Sequence, residues 1–206
     1  MKRLKKQIVG LTGSIGSGKS TVSARLGAFG ARILDADAVA RALLEPGGHC
    51  YGEVSLIFGK RVICKDGAIN RKALAELIFN DAGMRETLNG IVHPRVREQM
   101  LETAAQLAAA NPNIPVILDV PLLFECGMEQ GVDETVFIYA DDGVRLKRIV
   151  ARDKCTREHA LKRMASQMPQ EQKRALADVT FDNSGTLKQL YRQVDAWYHA
   201  LLEETI

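Results

Sequence analysis

The sequence predicts an α/β fold, with a three-layer α/β/α core built on a five-stranded parallel sheet. Three observations predict it. Five short apolar runs, at 8–11, 32–34, 116–118, 135–139 and 179–181, read as buried strands. Between them lie stretches with helical spacing, at 21–29, 143–151 and 186–203. A glycine-rich segment joins the first strand to the first of these helices. Strands separated by helices imply crossover units and a sheet covered on both faces.

At 206 residues the chain is long enough for one sizeable core, read as a single domain spanning 1–206. Apolar residues make up 46% and charged residues 26%, which argues against disorder. The net charge of +3 is mild and its Lys and Arg are scattered. That speaks against a nucleic-acid partner and leaves anionic small molecules open. The basic opening Met1-Lys2-Arg3-Leu4-Lys5-Lys6 suggests a signal peptide, but the apolar stretch after it is short and runs straight into the glycine loop. No stretch approaches the ~20 apolar residues of a membrane span. Cys50, Cys64, Cys126 and Cys155 show no C-x-x-C spacing and no histidines in zinc-like register. Reduced thiols in a cytoplasmic protein are expected, as a monomer with no membrane partner.

The interval 37–115 is too long for a simple crossover, and its content is helical. Asn70 is placed to cap a helix over 71–79, and Asp81 a longer one ending near 110, with Pro94 expected to kink or interrupt it near His93. This reads as a helical subdomain inserted into the core. A second, charge-rich excursion spans about 148–173.

The segment Gly13-Ser14-Ile15-Gly16-Ser17-Gly18-Lys19-Ser20 matches G-x-x-x-x-G-K-[ST] in full, and Thr21 extends it. Glycines free the backbone to point successive N–H groups at phosphate oxygens. Lys19 supplies a charge for the β and γ phosphates, Ser20 a hydroxyl for Mg²⁺, and the helix start its positive dipole end. The core is therefore of the P-loop NTPase type, with ATP as substrate. A dinucleotide fingerprint fails, because Thr21 stands where its third glycine belongs. A GTPase fails for want of N-K-x-D, and Asp182-Asn183-Ser184-Gly185 follows the last strand, the wrong place for D-x-x-G. A small-molecule kinase remains. Asp35-Ala36-Asp37 closes the second strand, at its C-terminal end, and in an open parallel sheet ligands gather beyond the carboxyl ends of the strands. An alcohol acceptor needs a base or a carboxylate to orient its hydroxyl, whereas a phosphate acceptor does not. The pair therefore points to an alcohol. The alternative is that Asp37 caps a helix over 38–44. One carboxylate oxygen cannot do both, but two aspartates leave room for both.

Beyond these motifs the chain resembles the dephospho-CoA kinase family. Ile33-Leu34-Asp35-Ala36-Asp37-Ala38-Val39-Ala40-Arg41, Val92-His93-Pro94 and Asp119-Val120-Pro121-Leu122-Leu123-Phe124-Glu125 are similar to its motifs in order. So are Arg148 with Arg152-Asp153, Thr156-Arg157-Glu158-His159, Arg163 and Gln167, which look like its lid. The resemblance implies transfer of the ATP γ-phosphoryl to the 3′-hydroxyl of dephospho-CoA. It implies a core of about 1–44, 115–147 and 174–206, an inserted helical acceptor domain of about 45–114 and a helical lid of about 148–173. Asp37 would be the catalytic base, Lys19 would stabilise the migrating phosphoryl, and Arg152 would close over the phosphates. Ser20 and Asp119 would serve the metal, Arg148 and Asn183 the nucleotide, and Asp35, Arg41 and His93 the acceptor, with Arg95 and Arg97 as further candidates for its phosphates. Alternatives stay open: Asp119 as a polar strand end, Arg148 and Arg152 as a solvated face paired with Glu158 or Asp153, and His93 as a structural histidine. Trp197, Tyr198 and Tyr191 read as core packing rather than base stacking. Shikimate kinase is the nearest rival, but its glycine triplet after the third strand is missing, with Asp119-Val120-Pro121-Leu122 in its place.

Overall fold

The computed structural model describes residues 5–204, so the basic opening up to Leu4 lies outside the described residues. Strand β1 (Ile8–Gly13) runs through the glycine loop into helix α1 (Lys19–Ala28). Strand β2 (Arg32–Asp35) leads directly into α2 (Ala36–Leu43), followed by α3 (Tyr51–Phe58), α4 (Arg71–Asn80) and α5 (Ala82–Ala110). Then come β3 (Val116–Asp119), β4 (Glu134–Tyr139) and α6 (Asp142–Asp153). The chain closes with α7 (Arg157–Ala165), α8 (Gln170–Leu176), β5 (Val179–Asp182) and α9 (Leu187–Glu203).

The five strands form one sheet in the order β2-β3-β1-β4-β5. Strand β1 pairs in parallel with β3 and β4, and β4 with β5. One face is closed by alternate strand residues, Val9, Leu11, Ile117, Val136 and Ile138, packed against Val22 and Leu26 of α1 and Leu190, Val194, Tyr198 and Leu201 of α9. That alternation is the period-2 signature of a strand. Helix α9 starts with a capping box, Thr186 and Gln189 each satisfying the other's backbone amide. Tyr198 stacks on Phe29 with ring centroids 5.2 Å apart. Trp197 donates to Glu134 Oε2 at 3.0 Å, so both rings serve the core as expected. Glu134, 6% exposed, also holds Lys6 at 2.7 Å.

The chain divides into two compact units, one built from residues up to Leu34 and from Ala104 onward, the other Asp35–Thr103. Within the second, Asn70 accepts from the Ala73 amide and Asp81 from the Met84 amide, capping α4 and α5 as the sequence predicts. The expected interruption at Pro94 does not occur. Helix α5 runs through it for 29 residues. The proline deprives the Gly90 carbonyl of its donor, and Gly90 carries no side chain and stands in open surroundings. That carbonyl can turn to water, which lets the helix continue. Among the described residues no helix is long and apolar enough to cross a membrane.

Candidate active site

The phosphate loop is set by its two inner glycines. Gly16 and Gly18 have φ of 79° and 94°, left-handed values that side chains resist. A Cβ on Gly18 would lie 2.2 Å from Asn183 Nδ2, and one on Gly16 would lie 2.8 Å from the Arg145 carbonyl. Helix α1 begins at Lys19 with no side-chain cap. Its first amides therefore point out with their dipole unneutralised, a ready anion seat. Ser14 and Ser17 add buried hydroxyls without a hydrogen-bond partner. Orphaned donors around an uncapped helix start fit a polyphosphate, whose oxygens supply the missing acceptors.

Lys19 Nζ is paired with Asp119 Oδ1, and Asp119 is only 6% exposed at the end of β3. This pair joins two of the residues singled out from the sequence. With Ser20 exposed beside it, the set offers one hydroxyl and one carboxylate to a cation. Among the described residues no cluster of three or more His, Cys, Asp or Glu is placed to hold a metal. Mg²⁺ needs none, because it is commonly held by one or two protein oxygens, waters and substrate phosphates. The residues fit it in that mode.

Three side chains grip the loop's carbonyl side. Arg148 reaches the carbonyls of Gly16 at 3.5 Å, Ser17 at 3.4 Å and Asn183 at 3.0 Å. Asn183, 5% exposed, donates to the Ser17 carbonyl at 2.7 Å. Arg145 donates from Nε to the Ile15 carbonyl at 2.9 Å and ties its other arm to Asp142 at 2.8 Å. Sequence reasoning missed Arg145. An arginine on an amphipathic helix carries no local sign that its partner is a carbonyl far back in the chain. Arg152 is mostly exposed and forms a fork with Asp153, with contacts of 2.7 and 3.0 Å. Arg163 reaches the same carboxylate. The two guanidiniums, Arg152 foremost, hold the Asp153 carboxyl down at about 2.

In the second unit the two aspartates are distinguished by their surroundings. Asp35 Oδ1 accepts from the amides of Asp37 at 2.8 Å and Ala38 at 3.3 Å, and so caps α2. Capping therefore falls to Asp35 and not to Asp37, because the helix begins two residues before the expected start. The Asp37 side chain is exposed, as is that of Arg41 one turn on. His93 is half-buried within α5, and burial pushes its imidazole pKa down. Arg95 pairs with Glu98 at 2.9 Å.

Comparison with known proteins narrows what this arrangement is for. The family described as dephospho-CoA kinase matches residues 7–189. The dephospho-CoA kinase of Geobacillus kaustophilus is 40% identical over 186 residues, covering 90% of this chain and 92% of that one. The solved structure of dephospho-CoA kinase from Campylobacter jejuni is similar with a TM-score of 0.74 at 27% identity, over 95% of this chain and 97% of that one. A shikimate kinase from Acinetobacter baumannii, at 15% identity and a TM-score of 0.54 over 97% of this chain and 94% of that one, shares the fold alone. The match spans the loop, both excursions and the sheet, and this chain belongs to the dephospho-CoA kinase family.

Proposed function

We propose that this chain transfers the γ-phosphoryl group of ATP to the 3′-hydroxyl of dephospho-CoA, giving coenzyme A. The observation that carries the reading is the uncapped start of α1 behind an intact Gly13–Ser20 loop, with Lys19 and Asp119 already paired beside it. The family supplies the acceptor.

On this reading the first-turn amides of α1 and the loop amides hold the β and γ phosphates. Lys19 turns from Asp119 to the phosphates and stabilises charge on the migrating group. Ser20 would hold Mg²⁺ directly and Asp119 through water, and the ion neutralises charge between donor phosphates when bound. Asp37, free of capping duty, orients the acceptor hydroxyl and takes its proton. Asp35, Arg41 and His93 serve the acceptor, and the helical insertion is the acceptor-binding region. Arg148 and Asn183 act on the nucleotide through the loop they grip, and Arg152 exchanges Asp153 for phosphate oxygens as the lid closes. Closure also excludes water and so limits idle ATP hydrolysis. A cytoplasmic monomer completes the reading.

The test is turnover. Purified protein should convert dephospho-CoA to coenzyme A with ATP and Mg²⁺ and stop when a chelator removes the metal. Turnover of shikimate or a nucleoside, with none of dephospho-CoA, would overturn the reading.

A further inference from the structure

Ile15 is held through both of the peptide groups that flank it. Its carbonyl accepts from Arg145 Nε at 2.9 Å, and its amide donates to Gln167 Oε1 at 2.8 Å. The two partners come from different elements. Arg145 sits on α6, 4% exposed and locked by Asp142. Gln167 lies in the short segment that returns the chain from α7 to α8.

That return segment is pinned elsewhere as well. The Met168 amide reaches Glu125 Oε1 at 3.3 Å, and Gln170 Nε2 reaches the Ala140 carbonyl at 3.1 Å and Asp142 Oδ1 at 2.9 Å. Lys173, 0% exposed, pairs with Glu125 at 2.7 Å and donates to the Pro121 carbonyl at 3.1 Å. Gln167 is therefore not a side chain adrift on a mobile excursion. It is presented to the loop by a stretch fastened to the exits of β3 and β4.

We propose that Gln167 is a positioning residue for the phosphate loop: with Arg145 it clamps the two peptide groups flanking Ile15 and holds Gly16 and Gly18 in the left-handed geometry that donor phosphates require. The inference rests on the phosphate-binding role of the loop. The second of these peptide groups carries the Gly16 amide, so rotation of either one changes the aim of the amides after it. Without the clamp the loop must be ordered by ATP itself, and the cost falls on binding rather than on the chemical step. The acceptor should not sense it.

The variant Gln167→Met keeps the side-chain length and removes the acceptor oxygen. KM for ATP should rise about three- to tenfold, the value of one net hydrogen bond, while kcat and KM for dephospho-CoA hold. A merely structural role gives the opposite pattern, a fall in kcat and melting temperature with KM for ATP unchanged, and that result would overturn the clamp. Where the variant does not fold, hydrogen exchange of the Ile15 amide in the nucleotide-free wild-type protein decides. Protection supports the clamp, and exchange at the rate of an open amide removes it. Should the wild type fail to turn over dephospho-CoA, direct titration of both proteins with Mg²⁺ and ATP still reads the clamp, so the two failures stay distinct.

Discussion

Asp35 and Asp37 stand one residue apart, and the start of α2 assigns them different work. An N-cap oxygen is committed to the first-turn amides, and Asp35 Oδ1 takes two of them. A carboxylate at the second helical position has no such duty and stays exposed, as Asp37 does. Substitution should separate the two. Asp37→Asn should lower kcat by about 10²–10⁴ with little change in ATP affinity or melting temperature. Asp35→Ala should cost about 1 kcal/mol of stability through the lost cap, read by thermal or urea unfolding. An unchanged kcat in Asp37→Asn would send the base back to an unassigned position. At this scale the motif residues were legible from sequence because each carries its chemistry locally: glycines where left-handed backbone is needed, a lysine at the loop's end, an acid closing an apolar strand. Arg145 and the orphaned hydroxyls of Ser14 and Ser17 were not. Their meaning depends on partners, present or missing, that only the folded chain brings near.

At the scale of elements, the five strands were legible to within a residue or two because each is an apolar run too short for a helix and bounded by turn residues. Helix α3 was not, since Leu56 is 84% exposed and blurs its apolar face. Helices α7 and α8 were not separable by periodicity because of their charge, and only the family resemblance implied helices there. At Pro94, where the sequence predicts a kink or an interruption, the helix is not interrupted. A proline removes one donor and crowds the carbonyl four residues back, yet the residue four back is Gly90, where that carbonyl has room to turn outward. The bond is still missing and its absence still costs. Pro94→Ala should therefore raise the stability of the Asp35–Thr103 unit by about 1–3 kcal/mol, with slower amide exchange around residues 90–98. A loss of stability would mean that α5 depends on the fixed proline ring and not on hydrogen-bond continuity.

Across the first compact unit, stretches far apart in sequence are joined by a buried charge. Lys173 is fully enclosed, and its ammonium reaches Glu125 and the Pro121 carbonyl. Thr12 shares that carbonyl at 3.1 Å, which connects α8 to the strand that enters the phosphate loop. A buried ion pair adds little stability compared with apolar side chains of similar volume, but removing one member leaves the other charge without compensation. The two members are not equal here. The Glu125 side chain is 22% exposed and keeps the Met168 amide, whereas Lys173 has no water at all. Losing the acid should therefore hurt more than losing the base. Glu125→Leu should cost about 3–5 kcal/mol in denaturant unfolding, and Lys173→Met clearly less. The double variant should recover most of the loss while its KM for ATP stays raised, because apolar packing restores stability but not the carboxylate that holds the Met168 amide beside Gln167. Equal costs for the two single variants, or a double variant with native KM, would confine the pair to packing and detach it from the phosphate loop.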